Sequence, residues 1–303
     1  MIDFHRLSLS QREDYEKFLF CSDRQSCEYS FANLFLWGRQ KAAFREDFVL
    51  LFSNFGKHSI YPFPVGCGDP KPMLDAVIAD ARKRGIAFRL SCLTAEDCDY
   101  VQQHYPDRFR FHLDRDHFDY VYAIDDLADL AGRKYQRKRN HLHRFHDAHP
   151  NTYTQPLTAE NCHIAKALAA DWYADRLRSD PEGDFILEQT ALDRLFANFD
   201  ALKMEGMILF DGEIPLAFTM ASRLSQDTFD VHFEKAAPGF EEAYPAINQS
   251  FARYVREKYP QIRFLNREDD MGIPGLRKAK ESYCPHHMVE KYWARLWEDE
   301  DEN

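Results

Sequence analysis

The sequence predicts an α+β protein built as two tandem copies of one architecture, each a mixed sheet flanked by helices. Three observations predict it. The order of elements recurs, because in each half two helices lead into a run of strands with a hairpin, then a helix, a strand, a helical turn and a strand. Asp211-Gly212, between apolar runs at 204–210 and 214–222, marks a hairpin, since that dipeptide suits the left-handed turn of a two-residue loop. Leu74, Val77, Ile78 and Ala81 recur with the period of a helix over 73–84, and Gly85 supplies its stop.

Taken in order, a first helix is expected over 10–20, capped by Ser8 or Ser10, and a second, rich in aromatics, over 29–37. Strands at 41–44 and 48–52 form a hairpin around Glu46-Asp47, and a short strand follows near 59–62. After the 73–84 helix comes a strand at 86–93. Thr94 with Asp97 reads as a capping box that opens a helix to about residue 104. Strands at 109–113 and 118–124 close the first half. Over 133–145 the spacing of Arg133, Arg137, Asn140 or His141, and Arg144 puts them on one helical face, with Lys134, Lys138 and Arg139 adding charge and Tyr135, Leu142 and Phe145 toward a core. The second half reads as strand 151–155, a helix from Thr158 to about 177, a helix over 185–202, the 204–222 hairpin, strand 228–233, helix 244–259, strand 262–265, a basic helix at 276–280 and a last strand at 287–292. This gives an N-terminal domain over 1–130, a connecting basic helix over 131–150 and a C-terminal domain over 151–303.

A net charge of −11 over 303 residues argues against binding nucleic acid or a membrane with the whole surface, and leaves the local patch at 133–145 as the basic feature. No run reaches the length of a membrane span, and the first residues, M-I-D-F-H-R, lack the apolar centre of a secretory signal. Seven scattered cysteines without a C-x-x-C pair are expected to be reduced thiols in a cytoplasmic protein. The acidic tail over 298–303 is the one stretch expected to be disordered.

The densest chemistry lies between Arg263 and Pro285. A strand ends in Asn266-Arg267-Glu268-Asp269-Asp270; a loop follows through Gly272, Pro274 and Gly275, then Arg277, Lys278, Lys280 and Tyr283. Sites in α/β proteins are often built just past the carboxyl end of a strand. Acid–base chemistry at such a tip needs a group to take a proton and donors for developing negative charge. Glu268 is the first candidate for base or amine anchor, with Asp269 beside it. Glu234 is the second, on one strand face with His232. Tyr283 is a candidate proton donor. Arg137, Arg139, Arg267, Arg277, Lys278 and Lys280 are candidates to clamp phosphate, with Asn248 and Asn266 to orient substrate. The same residues also read as ion pairs on a solvated loop. His141, His143, His146 and His149 lack a spacing that brings three ligands to one helical face, so no metal site is expected there.

Four stretches carry a resemblance: Y-Q-R-K-R-N-H-L-H-R-F at 135–145, H-F-E-K-A at 232–236, A-I-N-Q-S-F-A at 246–252 and L-N-R-E-D-D-M-G-I-P-G-L-R-K-A-K-E-S-Y at 265–283. They resemble the DUF2156 family, which is similar to the C-terminal catalytic domain of lysyl-phosphatidylglycerol synthases. The element order resembles the GNAT acyltransferase fold, in tandem as in Fem-type aminoacyl transferases. The resemblance implies transfer of an acyl or aminoacyl group to an amine or hydroxyl of a small molecule or lipid head group. Acyl-CoA or aminoacyl-tRNA would be the donor, and tRNA therefore a partner. The chain departs from GNAT enzymes at residues 236–244, A-A-P-G-F-E-E-A-Y, where one glycine and two acids stand in place of a glycine-rich pyrophosphate turn. A non-catalytic module holding an anionic small molecule or lipid head group is the alternative reading.

Overall fold

A computed structural model describes residues 1–55, 58–183 and 185–297, and the acidic tail lies outside them. The elements in chain order are α1 (Arg12–Ser22), α2 (Phe31–Trp37), β1 (Gln40–Arg45), β2 (Phe48–Phe55), β3 (His58–Pro62), β4 (Val65–Gly66), α3 (Lys71–Arg84), β5 (Arg89–Leu93), α4 (Ala95–His104) and β6 (Phe109–Leu113). They continue with β7 (Asp119–Ala123), α5 (Ile124–Asp129), α6 (Gln136–Ala148), β8 (Thr152–Pro156), α7 (Cys162–Ser179), α8 (Ile186–Ala197), β9 (Glu205–Asp211), β10 (Ile214–Arg223) and β11 (Thr228–Ala236). The last are α9 (Ala243–Lys258), β12 (Phe264–Asn266), α10 (Pro274–Glu281), β13 (His287–Val289) and β14 (Tyr292–Leu296). Two mixed sheets flanked by helices result, as the sequence predicts.

The chain divides into two compact units, one of residues 1–119, 269–277 and 288–303, the other of residues 120–268 and 278–287. This division departs from the boundaries drawn on the sequence. The basic helix α6 belongs to the second unit, and the end of the chain belongs to the first. The reason is strand pairing across the sequence. The first sheet has the order β1-β2-β3-β5-β14-β6, with β4 beside β2, so the last strand of the chain fills its interior. The second has the order β13-β7-β12-β11-β10-β9-β8, so β7, from the first half of the sequence, pairs with β12. D-Y-V-Y-A at β7 is buried at four of its five positions, as a strand covered on both faces should be.

In the first unit, α3 lays Leu74, Val77, Ile78 and Ala81 on the sheet among Phe52, Tyr61, Leu90 and Val101. Gly85 ends the helix at φ +66, where a glycine has no Cβ to clash. The Thr94–Asp97 capping box forms: the Asp97 amide donates to Thr94 Oγ1 at 3.2 Å and the Thr94 amide donates to Asp97 Oδ2 at 2.8 Å. Lys291 is buried with Asp119 Oδ1 at 2.7 Å and Glu28 Oε2 at 2.6 Å, a charged cluster inside the unit. One expectation is corrected here. Cys21 and Cys67, 46 residues apart, are joined by a disulfide with their Cα atoms 5.9 Å apart, so not every thiol is free. The end of α1 and the turn after β4 meet only in the folded chain.

In the second unit, β9 and β10 form the hairpin around Asp211-Gly212, with Gly212 at φ +58. Helix α9 buries Ala246, Ile247, Phe251, Ala252 and Val255, one apolar face with helical spacing. Tyr135, Leu142 and Phe145 are buried as predicted, while Arg133, Arg137, His141 and Arg144 are exposed.

Candidate active site

The second unit's sheet opens between two parallel strands. β11 pairs with β12 over three residues only, Thr228 with Phe264, Phe229 with Leu265 and Asp230 with Asn266. Beyond that β11 runs on to Ala236 while the chain leaves β12 after Asn266. The two strands part, and a wedge opens between them. Asp230 pairs with Ser222 and Glu234 with Thr219, and the register shifts between them at His232, so Asp230 and His232 lie on one face of β11 and Glu234, which the sequence placed with His232, lies on the other.

Arg267, the first residue past β12, reaches across this opening. Its Nη2 lies 2.6 Å from Glu234 Oε1, and the two side chains are 15% and 9% exposed. Burial works against the guanidinium charge, but the Glu234 carboxylate together with Tyr122, Tyr283 and Tyr244 outweighs it and raises the pKa of Arg267. The guanidinium carbon stands 5.4 Å from the centre of the Tyr283 ring and 5.9 Å from that of Tyr122. The Lys138 Nζ sits 3.5 Å from the centre of the Tyr283 ring. Burial first and the like charge of Arg267 second lower the pKa of Lys138 to about 8, while the ring face beneath it favours the ammonium. Burial pushes the Tyr283 phenol up, so it stays a neutral donor at ordinary pH. Its carbonyl accepts from the Tyr135 hydroxyl at 2.9 Å, which ties α6 to the end of α10.

Glu268 follows at φ +57, a left-handed conformation that L-residues adopt rarely. Three hydrogen bonds fix it there. The Glu268 amide donates to Asn266 Oδ1 at 2.7 Å, and its carbonyl accepts from the Tyr120 amide at 3.1 Å and from Lys280 Nζ at 3.2 Å. Its Oε1 lies 3.6 Å from His232 Nδ1. Asn248, on α9, is 4% exposed, and its Oδ1 has no hydrogen-bond partner among the described residues.

Other predicted residues have different surroundings. Arg139 donates to the carbonyls of Leu130 and Gly132 and holds the turn that precedes α6. Lys280 donates to the Arg267 carbonyl at 2.6 Å and so supports the loop past β12. Arg137 and Lys278 are exposed. Asp269 and Arg277 belong to the first unit, where Asp269 meets His117 Nδ1 at 3.0 Å and Arg277 meets Asp270 and Asp116 at 2.9 and 2.6 Å. Sequence reasoning counted Lys138 only as a charge and passed over Asp230 and Ser222. The alternation D-V-H-F-E over 230–234 was the signal that could have found Asp230.

The β11–α9 junction has its amides turned inward. Ala237 donates to the Leu216 carbonyl at 2.7 Å, Phe240 to that of Ala237 at 3.0 Å and Ala243 to that of Phe240 at 2.9 Å. Gly239 donates to Glu241 Oε1 at 3.4 Å, so a carboxylate stands at the turn's glycine.

The sequence profile of the family described as "Phosphatidylglycerol lysyltransferase, C-terminal" matches residues 21–295. The chain belongs to this family. Among solved structures it is similar to a conserved protein of unknown function from Bacteroides thetaiotaomicron, at 36% identity and a TM-score of 0.92, covering 98% of this chain and 100% of the other. It is similar to L-PGS from Bacillus licheniformis at 15% identity and a TM-score of 0.68, over 93% of this chain and 91% of that one. FemX matches at 11% identity and a TM-score of 0.61, over 96% and 97%. No curated protein matches the sequence. The fold is that of tandem GNAT-like proteins. Family and fold together mark a GNAT-like domain of the phosphatidylglycerol lysyltransferase C-terminal family. No helix among the described residues is long and apolar enough to cross a membrane.

Proposed function

We propose that the chain transfers an aminoacyl group from a tRNA ester to a hydroxyl or amine on a lipid head group or small molecule, in the wedge between β11 and β12. The observation that carries this reading is the Glu234–Arg267 pair across the split, with Lys138 and Tyr283 against it. The acceptor oxygen or nitrogen forms a bond to the ester carbonyl carbon as the ester's bond to the tRNA ribose oxygen breaks. Lys138, poised to lose its proton near pH 8, takes the nucleophile's proton. Arg267 lends positive charge to the tetrahedral oxyanion, and Tyr283 protonates the leaving ribose oxygen. Proton return from Lys138 to Tyr283, through solvent, resets the site. Glu234, paired with Arg267 at 2.6 Å, anchors the α-ammonium of the aminoacyl group. Glu268, the sequence's first candidate for the base, lies against His232 instead.

The donor follows from the β11–α9 turn. A CoA pyrophosphate needs free amides at a helix start, and here the amides of Ala237, Phe240 and Ala243 already donate to carbonyls while Glu241 stands against Gly239. This favours aminoacyl-tRNA over acyl-CoA. The exposed cations Arg133, just before α6, and Arg137 and Arg144, on it, supply a local face for its backbone on an otherwise acidic chain. The test is transfer from lysyl-tRNA and other aminoacyl-tRNAs to phosphatidylglycerol vesicles and to soluble amines, with acetyl-CoA in parallel. Turnover from charged tRNA that disappears in Lys138→Met, with the fold retained, supports the reading. Turnover from acetyl-CoA alone overturns the donor assignment. No turnover from any donor, with a melting-temperature rise on adding glycerol phosphate, favours the binding module.

A further inference from the structure

On the face of β11 opposite Glu234, two residues remain outside the chemistry above, Asp230 and His232, and Glu268 comes up beside them. His232 Nδ1 lies 3.5 Å from Asp230 Oδ2 and 3.6 Å from Glu268 Oε1. One ligand atom from each of the three residues falls within 4.8 Å of the others. The side chains of Asp230 and His232 are 0% and 1% exposed, while that of Glu268 is 27% exposed. On the far side of the ring, His232 Nε2 is 2.8 Å from Ser222 Oγ.

Two carboxylates converge on one ring nitrogen. That nitrogen carries at most one hydrogen, which can point at one oxygen only. Both separations exceed the roughly 2.7–2.9 Å of a charge-assisted hydrogen bond. They match a different geometry. Ligands held about 2.0–2.2 Å from a tetrahedral cation stand about 3.3–3.6 Å from one another along the edges of the tetrahedron. The ring's other nitrogen fits as well. With Nδ1 as a ligand the hydrogen sits on Nε2 and donates to Ser222 Oγ, the outer hydrogen bond that orients a metal-binding imidazole. The left-handed backbone at Glu268, secured through Asn266, Tyr120 and Lys280, brings its carboxylate to the third corner.

We propose that Asp230, His232 and Glu268 bind a divalent transition cation of the zinc class, with two carboxylate oxygens and one imidazole nitrogen as ligands and a fourth position for water or a substrate oxygen. The charges agree: two carboxylates and a neutral imidazole balance a doubly charged ion. The proposal does not rest on the transferase reading, because it uses none of Glu234, Lys138, Arg267 and Tyr283. The ligands are not the helix histidines at 141–149, whose spacing the sequence already sets aside.

The experiment strips the full chain with a chelator and titrates it with cobalt(II), following the visible absorption of tetrahedral cobalt, and then with zinc by competition and by melting temperature. One equivalent of cobalt with intense visible bands, displaced by zinc, is the expected result. Ser222→Ala should weaken the metal about 10–100-fold, as loss of an outer hydrogen bond does. Glu268→Gln, at the open end of the cluster, should remove the visible bands while the metal-free melting temperature holds. It keeps the test valid if Asp230→Asn fails to fold. Absence of stoichiometric uptake overturns the site, and so does uptake that is identical in Glu268→Gln and the natural chain. Neither outcome bears on aminoacyl transfer, which the Lys138→Met assay decides separately.

Discussion

Removing Arg267 tests the wedge most directly. In Arg267→Met the Glu234 carboxylate, 9% exposed, loses the guanidinium that stood 2.6 Å away. Breaking a buried pair from one side costs about 3–5 kcal/mol, because the remaining charge stays desolvated. For a domain of 150–250 residues each kcal/mol moves the melting temperature about 2–4 °C, so the variant should melt about 6–20 °C lower. Replacing both partners, Arg267→Met with Glu234→Gln, leaves no stranded charge. The double variant should therefore recover stability relative to Arg267→Met, with a coupling of about 2 kcal/mol between the two positions. Denaturant unfolding followed by circular dichroism, with calorimetry to isolate the second unit's transition, measures all three variants. The reasoning is refuted if the two single losses simply add, or if Arg267→Met costs under about 1 kcal/mol, the value of a solvated surface pair.

The pKa of Lys138, lowered to about 8, predicts a rise in transfer rate through that pH that Lys138→Met abolishes, read from a pH–rate profile. The same shift has a stability consequence. Between about 8 and 10.5 the unfolded chain binds the proton that the folded one has released, so this group's contribution to stability grows as pH rises through that window, measurable by unfolding at two pH values. Replacing Arg133 and Arg137 by Ala should lower tRNA affinity and flatten its salt dependence by about 0.7–0.9 for each phosphate left unneutralised, checked by binding at several salt concentrations. Thiol titration of the denatured, unreduced protein should count five groups, rising to seven after reduction, since Cys21 and Cys67 are bonded and five cysteines are free. Lys291→Met should cost the first unit about 3–5 kcal/mol by leaving the buried Asp119 and the half-buried Glu28 without their cation, seen in the same unfolding experiment.

Local chemistry and periodicity were enough to determine much of this protein. The spacing of Leu74, Val77, Ile78 and Ala81 fixes α3 and its buried face. Thr94 and Asp97 fix the start of α4. Asp211-Gly212 fixes the β9–β10 turn, and Tyr135, Leu142 and Phe145 fix which side of α6 is covered. Each depends on residues a few positions apart, within reach of one helical turn or one strand pleat. The recurring element order likewise announced two sheets. What the sequence left open is every choice made between distant residues. That β14 enters the first sheet and β7 the second is decided by which strand edges meet, and a strand's own pattern of burial does not name its neighbour. That Arg267 pairs with Glu234, 33 positions away, while Arg277 goes to Asp270 and Asp116, is decided by where β11 and β12 part. Lys138 looks in the sequence like one more charge on a basic helix. It becomes a lysine of lowered pKa only because folding buries it on Tyr283 beside Arg267, and desolvation is a property of the packed site rather than of the residue.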